Sequence, residues 1–330
     1  MPPLTWKSLI ALALFLPISH VFAEAPLVPP EEHLLYIAVP GIRDELNHGG
    51  SGILIFDIDH GDKFVRRIPS RAADATGAPL AMKGICASAL TRRFYFSTTK
   101  SLTCLDLLTD KILWEKTYPG GCDRMSMSQD GKTIYLPSLE GDWWNVVNAD
   151  DGQVLNQITP KSGSHNTVFA IDGKHVYLAG LKSKVLTIAD AATRQASGTV
   201  GPFDGNVRPF TVNGNSTLCF CCVNGLLGFE IGDLTSGKLL QRVTVEGFQT
   251  GPVKRHGCPS HGIAITPDES EIWLSDGHNQ LAHVFDATVM PPKLKASIPL
   301  RDRPGWITLS IDGRFAYVST GDVIDTKAGK

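Results

Sequence analysis

Short hydrophobic runs alternate with polar turns along this chain, and one such pattern returns roughly every 40–45 residues. In residues 125–136, a short apolar strand meets the turn Asp130-Gly131 and is followed by a strand containing an aromatic residue. The same pattern occupies residues 167–178, 263–274 and 307–318, with less regular copies at 85–96 and 209–220. Fixed-period self-similarity of this length predicts repeated supersecondary units.

A column of short polar side chains sets the register of the repeats, because a further apolar strand in each copy ends at an acid or amide. Its seven members are Asp57, Asp106, Asn148, Asp190, Glu230, Asp286 and Asp325. Such side chains bond nearby backbone and start turns, and a fourth strand follows in most copies. Four short strands per unit are typical of a propeller blade. The pattern therefore predicts an all-β, seven-bladed β-propeller; a β-sandwich would need seven coincidental turn spacings.

The two ends of the repeat array do not match each other. We place the blades at about 34–69, 82–118, 122–159, 164–201, 206–245, 256–300 and 303–330. Blade one begins at Leu34 with its second strand, whereas the last blade carries two strands and the start of a third. An open ring leaves unpaired strand edges, so we expect an incomplete last blade and a chain read from a longer gene product.

The repeats resemble the YVTN family of β-propeller repeats. Residues 34–39 and 315–320 match its aromatic-containing second strand, and Gly313-Arg314 with residues 323–326 match its turn and third strand. The resemblance covers about 34–330 and departs at Met290-Pro291-Pro292, where a turn of Asp-Gly type is usual. It implies seven blades and extends to lactonase-type and methylamine-dehydrogenase-heavy-chain-type propellers, whose functions differ too much to transfer by fold alone.

The first residues predict a signal peptide rather than part of the fold. Lys7 precedes an apolar run at residues 9–16, and the small residue Ala23 stands before Glu24. The run is shorter than the roughly 20 residues of a membrane span, although an uncleaved anchor is the alternative. We expect a signal peptide at 1–23 cleaved after Ala23, a Pro-rich leader at 24–33, a periplasmic or secreted protein and no later membrane span.

The net charge and the cysteine content of the chain limit which partners and which chemistry we expect for it. The formal net charge is −2, so no electrostatic field favours nucleic acid. Seven cysteines leave at least one thiol unpaired if disulfides form, and their connectivity cannot be read from sequence. Cys258 lies in a loop that could approach Cys222; the alternative is that these cysteines are buried, reduced and act as small hydrophobes.

Candidate chemistry gathers at one mouth of the predicted channel, because the first strand of each blade lines that channel. The residues just before this strand form one column of Lys83, Asp123, His165, Val207, His261 and Gly305 and a second of Gly84, Arg124, Asn166, Arg208, Gly262 and Trp306. His256 lies nearby, in an insertion. The candidate ligand-binding residues are Lys83, Asp123, Arg124, His165, Asn166, Arg208, His256, His261 and Trp306.

These residue types favour a polar or anionic ligand, since arginine forks match carboxylate geometry and a pocket needs few convergent polar groups. Lys83, Arg124 and Arg208 would hold its charge, and Trp306 would form an apolar wall. The other interpretation is a water-filled mouth with no ligand, because polar rings are common in propellers.

A divalent metal is the alternative chemistry at this mouth, with His165, His256 and His261 as candidate ligands. No tight motif spacing joins these histidines, and Asp123 is the one acid in the ring. Lactonase-type propellers, by resemblance, hold their cation mainly through Glu, Asp and Asn. We therefore assign no cofactor and no catalytic residue at this stage.

The sequence accordingly favours an exported binding or scaffold protein of the cell envelope. It would take a small polar or anionic ligand, or a protein partner, at one mouth of the channel. The alternative is a periplasmic enzyme, either a metal-dependent lactonase-like hydrolase or a dehydrogenase subunit.

Overall fold

The computed structural model describes residues 32–40, 50–252 and 257–330, and all regular structure in them is β-strand. Twenty-six strands form seven separate antiparallel sheets arranged in a ring. The prediction of an all-β, seven-bladed β-propeller is therefore confirmed. The predicted signal peptide, residues 24–31 of the leader and His256 lie outside the described residues. No described helix is long and apolar enough to cross a membrane.

The strands of the first four blades follow the chain in order. Blade one contains β1 (Leu34–Val39), β2 (Gly52–Asp57) and β3 (Lys63–Pro69). Blade two contains β4 (Met82–Ser88), β5 (Arg93–Thr98), β6 (Ser101–Asp106) and β7 (Ile112–Thr117). Blade three contains β8 (Ser126–Met127), β9 (Thr133–Pro137), β10 (Trp144–Asn148) and β11 (Val154–Ile158). Blade four contains β12 (Asn166–Phe169), β13 (His175–Ala179), β14 (Leu186–Asp190) and β15 (Gln195–Val200).

The remaining three blades follow the same plan. Blade five contains β16 (Val207–Val212), β17 (Leu218–Val223), β18 (Gly228–Asp233) and β19 (Lys238–Thr244). Blade six contains β20 (Ile263–Ile265), β21 (Glu271–Asp276), β22 (Leu281–Asp286) and β23 (Lys293–Pro299). Blade seven contains β24 (Ile307–Leu309), β25 (Phe315–Val318) and β26 (Val323–Asp325).

The first strands of neighbouring blades contact one another, which places them around the central channel. These contacts run from β4 to β8, β12, β16, β20 and β24 in turn. Blades one and seven each have three strands among the described residues. In blade one, β1 takes the second position of the other blades, and residues 34–40 line the central cavity directly. The central cavity therefore lies directly against β1.

The second strands of blades two to six are buried on both faces, because each of these blades packs between two neighbours. In β9, Ile134 and Leu136 join a cluster that reaches blade two, whereas Tyr135 joins a cluster that reaches blade four. The Tyr135 hydroxyl donates to the carbonyl of Ala191 at 3.3 Å. Tyr95 repeats this bond one blade earlier, to Ala149 at 3.0 Å. The aromatic positions of the repeat are thus inter-blade contacts.

An acid or an amide closes the third strands, as the sequence predicted, with one correction in blade five. The Oδ1 atom of Asp106 accepts hydrogen bonds from the backbone of Leu108 and Thr109, which fixes the following turn. In blade five this position belongs to Asp233, not to Glu230, because β18 continues three residues beyond Glu230. Glu230 is buried, and its Oε1 accepts a hydrogen bond from Arg242 at 3.0 Å.

The seven cysteines are free thiols, and six of them are buried. Cys86 and Cys104 pair with opposite sides of Tyr95, so β5 lies between them. Cys219 and Cys221 share one face of β17, whereas Cys222 points into a cluster that also contains Cys258. The predicted approach of Cys258 to Cys222 is therefore present, although the two thiols are not bonded.

Candidate functional site

Residues from neighbouring blades meet at the beginning of the innermost strands. The backbones of Arg124 and Asn166 form a parallel bridge. A Cβ atom on Gly84 would lie 2.9 Å from the Cα of Arg124, and one on Gly262 would lie 2.8 Å from the Cα of Trp306. The two small residues therefore allow adjacent blades to approach closely at this mouth, and aligned positions of the repeat are neighbours in space.

Asp123, His165 and Arg124 form a buried hydrogen-bonded network at the mouth. Nδ1 of His165 lies 2.6 Å from Oδ2 of Asp123, and Nε2 lies 2.9 Å from Nη1 of Arg124. A guanidinium N–H can only donate, so Nε2 accepts and Nδ1 carries the proton given to Asp123. His165 is thus held neutral, in one tautomer, between an anion and a cation.

The pKa values of the three groups follow from this arrangement. Burial opposes ionisation of Asp123, but the hydrogen bond from His165 and the charges of Arg124 and Lys83 hold its pKa below the ordinary value. Burial, with the nearby cations, also lowers the pKa of His165, although Asp123 opposes this shift. Burial lowers the pKa of Arg124, and Asp123 opposes that change too. Asp123 is therefore an anion and His165 neutral at pH 7.

Two cations and an indole surround the exposed side of this network. Nζ of Lys83 and Nη1 of Arg124 each lie 3.6 Å from Oδ1 of Asp123. The guanidinium carbon of Arg124 lies 5.4 Å from the ring centre of Trp306, a cation–π contact. Trp306 is 38% exposed. Because every polar side-chain contact between Arg124 and another described residue uses Nη1, its Nε and Nη2 remain available to a ligand.

A cavity of about 1950 Å³ opens beside these groups. Five of the predicted site residues line it: Lys83, Arg124, Asn166, His261 and Trp306. Asn166 is 5% exposed, and neither its Oδ1 nor its Nδ2 has a hydrogen-bond partner among the described residues. Nδ1 of His261 lies 3.1 Å from the carbonyl of Gly305, which can only accept, so a neutral His261 carries its lone pair on Nε2.

The other predicted site residues lie at different distances from this cavity. Asp123 and His165 are buried directly behind Arg124. Nε of Arg208 donates to Oδ1 of Asn224, and Arg208 is not among the residues that line the cavity. His256 lies outside the described residues.

Sequence reasoning missed most of the cavity wall, including Phe210 and Arg303. Phe210 follows Arg208 by two positions on β16, beyond an irregularity in the strand register, and it lines the cavity whereas Arg208 does not. Arg303 stands three residues before Trp306, in the loop that enters blade seven. Counting two residues along each inner strand, and including each entry loop, would have found both.

The described residues contain no group of three or more His, Cys, Asp or Glu side chains placed to hold a metal ion. Both ring nitrogens of His165 already contact Asp123 or Arg124. A metal bound through Nε2 of His165 would have to displace the Arg124 guanidinium. The arrangement therefore suits recognition of an anion better than coordination of a cation.

Comparison with known proteins places the fold but not the family. No protein-family model and no curated protein match the sequence. One solved structure, Kuenenia stuttgartiensis hydrazine synthase, is 15% identical with a TM-score of 0.50, over 76% of this chain and 96% of that one. Another, the dihydro-heme d1 dehydrogenase NirN in complex with DHE, is 15% identical with a TM-score of 0.63 over 89% of this chain. This chain spans 61% of the NirN chain. At such identities the likeness establishes the propeller alone.

Proposed function

We propose that this chain is an exported binding propeller of the YVTN type whose cavity takes a small carboxylate-bearing ligand between Arg124, Lys83 and Asn166. The observation that carries the proposal is the guanidinium of Arg124, which stands at the cavity wall with its side chain 29% exposed. Asn166 lies next to it, and its two side-chain polar atoms are buried without a hydrogen-bond partner among the described residues. A buried polar group without a partner costs about 1–3 kcal/mol, and a rotation of the Asn166 amide toward a polar ligand would offset that cost.

The charge of the wall selects an anionic ligand. Lys83, Arg124 and Asp123 together carry one net positive charge, and Asp123 has no exposed surface. A ligand entering the cavity therefore meets the two cations before the anion. Arg124 is the stronger of the two recognition groups, because its planar fork fits the two oxygens of a carboxylate.

The position of the guanidinium is fixed before any ligand arrives. His165 contacts Nη1 on one side, and the ring centre of Trp306 lies 5.4 Å from the guanidinium carbon. Asp123 in turn fixes the His165 ring. A donor that is already ordered loses little rotamer entropy on binding, which raises affinity without a further contact. Trp306 also offers apolar surface to the carbon skeleton of the ligand.

An enzymatic role is the second candidate, and its support is the identity of the similar structures. One is named a synthase and the other a dehydrogenase solved with the ligand DHE. Metal analysis of purified protein tests the metal-dependent form of this candidate. Stoichiometric metal that is lost in His261→Ala would favour the enzyme, whereas metal-free protein with an intact fold would favour the binding role.

Isothermal titration with succinate and with its uncharged analogue succinamide tests the binding proposal. We expect succinate to bind at low ionic strength, and succinamide to bind at least about tenfold more weakly. Arg124→Gln should weaken succinate binding by about 1.5–3 kcal/mol, the value of a charge-assisted hydrogen bond. Arg194→Gln, in the turn between β14 and β15, is the matched control and should leave affinity unchanged. Equal binding of both compounds, or full affinity in Arg124→Gln, would contradict the proposal.

Export is tested separately from ligand binding. Fractionation of a bacterial host expressing the full chain, with mass spectrometry of the N-terminus, should find protein outside the cytoplasm beginning at Glu24. Retention in the cytoplasm with residues 1–23 still attached would remove export from the proposal and leave the ligand site untouched.

A further inference from the structure

We infer that Cys222 and Cys258 form a disulfide-bonding site that fastens the loop before β20 to blade five when the chain folds in the presence of a disulfide oxidant. The inference concerns the described residues 257–262, which lead into β20 and include the cavity residue His261. It requires no ligand and is independent of the proposed binding function.

The described part of this loop is already held against blade five at a defined register. The backbone N–H of Gly225 donates to the carbonyl of Gly257 at 2.8 Å. The N–H of Gly228 donates to Oγ of Ser260 at 3.0 Å. Both donors belong to the turn between β17 and β18 or the first residue of β18. Cys258 lies between the two accepting residues, so its position opposite the end of β17 is fixed from both sides.

The two thiols meet inside one hydrophobic cluster. Sγ of Cys258 lies 3.5 Å from the carbonyl oxygen of Val223, the residue next to Cys222. Both cysteines are buried in the cluster between blades five and six. Burial, together with the neighbouring thiol of Cys258, holds the pKa of the Cys222 thiol well above its ordinary value. The two thiols are therefore close together, and the segments that carry them are held in fixed positions.

Cys221 also has a neighbouring thiol, that of Cys219, but strand geometry keeps the other strand cysteines from bonding to each other. Cys86 and Cys104 are separated by β5, so their Cα atoms are about 10 Å apart at ordinary strand spacing, beyond the reach of about 7 Å for a disulfide. Cys219 and Cys221 are alternate residues of one strand, with side chains parallel and about 6.6–6.8 Å apart, whereas bonded Cβ atoms approach to roughly 4 Å. Cys222 has no such obstacle toward Cys258.

The bond forms by thiol–disulfide exchange. Sγ of Cys222 and Sγ of Cys258 join, and together they lose two protons and two electrons. A disulfide oxidant accepts both and is reduced to two thiols; glutathione disulfide serves this role in vitro. Because a buried thiol with a raised pKa is a poor nucleophile, exchange proceeds during folding, before the cluster closes.

Refolding of the full chain in a glutathione redox buffer, followed by thiol titration and non-reducing peptide mapping, tests the inference. We expect five of the seven thiols to remain titratable, and one cross-linked peptide pair containing Cys222 and Cys258. Cys222→Ala and Cys258→Ala should each keep all six remaining thiols. Cys219→Ala, three residues away on the same strand, is the matched control and should still lose two thiols.

Thermal unfolding provides a second readout that a merely adjacent pair of thiols would not change. The bond closes a loop of about 35 residues, so oxidation should raise Tm by about 5 °C in the wild type and in Cys219→Ala. It should not change Tm in Cys258→Ala. Seven titratable thiols after oxidative refolding, or a cross-link between other cysteines, would overturn the inference.

Discussion

The carboxylate of Asp123 accepts a 2.6 Å hydrogen bond from Nδ1 of His165, a residue of the next blade, although Asp123 has no exposed surface. The two residues occupy equivalent positions of consecutive repeats. Their hydrogen bond therefore joins blades three and four where the first strands converge on the channel. It also sets the charges beside Arg124, which are an anionic Asp123 and a neutral His165.

This pair makes stability depend on pH. The pKa of His165 is lowered by burial, so between that value and the ordinary value near 6.5 the unfolded chain binds more protons than the folded one. Stability should therefore fall as pH drops below about 6.5, by at most about 1.4 kcal/mol per pH unit for this group. Asp123, whose pKa is also lowered, adds its own loss only near and below its ordinary pKa of 3.8.

Urea unfolding at pH 7.5, 6 and 5 measures this dependence. His165→Asn should flatten the decline between pH 7 and 5, because the group that binds the extra proton is gone. His60→Asn is the control, since His60 pairs with Asp57 in an exposed turn. An unchanged slope in His165→Asn would mean that His165 is not held neutral in the folded protein.

Removal of the Tyr135 side chain should destabilise the contact between blades three and four. Tyr135 is 1% exposed and packs with Trp144 and Val176. We expect Tyr135→Ala to cost about 3–5 kcal/mol of unfolding free energy. Tyr135→Phe, which loses only the hydroxyl bond to Ala191, should cost about 0.5–1.5 kcal/mol. Similar denaturant midpoints for Tyr135→Ala and wild type would disprove the inter-blade role.

Loss of the Asp276 carboxylate should be costly because Asp276 is buried and its removal takes a partner from the buried His283 and from two backbone N–H groups. Oδ2 of Asp276 lies 3.1 Å from Nε2 of His283, and Oδ1 accepts hydrogen bonds from the backbone of His278 and Asn279. Asp276→Ala should cost about 3–5 kcal/mol. Asp142→Ala, which removes an exposed carboxylate 4.0 Å from Lys182, should change stability by less than about 1 kcal/mol. Equal effects in denaturant titration would contradict this expectation.

A methyl group at position 262 should push blade seven away from blade six. The added Cβ of Gly262→Ala would lie 2.8 Å from the Cα of Trp306 and 3.0 Å from the backbone nitrogen of Ile307. We expect a cost of about 1–3 kcal/mol in chemical unfolding and weaker succinate binding, because Trp306 moves. Gly198→Ala is the control, since the nearest atom to its new Cβ would be 3.9 Å away.

Arg208 should act on stability rather than on affinity. Its side chain is buried beside Asn224, and burial lowers its pKa. Arg208→Gln should cost about 1.5–3 kcal/mol of stability and change the affinity for succinate by less than twofold. If Arg208→Gln instead weakens succinate binding and leaves stability unchanged, Arg208 belongs to the ligand site, as the sequence alone suggests.

The fold was readable from sequence because blade strands are specified locally, by alternation and by turn residues. The Asp130-Gly131 turn and Asp106 each mark the end of a strand to within a few residues. Glu230 was misplaced because an acid in mid-strand resembles an acid at a strand end until its partner Arg242, twelve residues later, is known. The sequence pattern identifies the strand, but it does not show which buried acidic residue has a cation beside it.

The site was readable only in part, for a related reason. Alignment of the repeats placed Arg124, Asn166 and Trp306 at one mouth of the channel, and all three line the cavity in the structure. The same alignment predicted that both Arg208 and Arg124 bind the ligand, because they occupy equivalent positions of the repeat. Which of two aligned arginines faces open space depends on neighbours such as Asn224, and these contacts are set by packing between blades.

The convergence of the first strands also determines how such a site can change. Blades three to six each contribute only one to three residues to the cavity wall, and these positions lie roughly 40–50 residues apart. The second and third strands of these blades, which provide most of the buried side chains, do not line it. Exchange of a single residue at the start of an inner strand can therefore alter the charge or size of the accepted molecule while the folding information in the remaining strands stays intact.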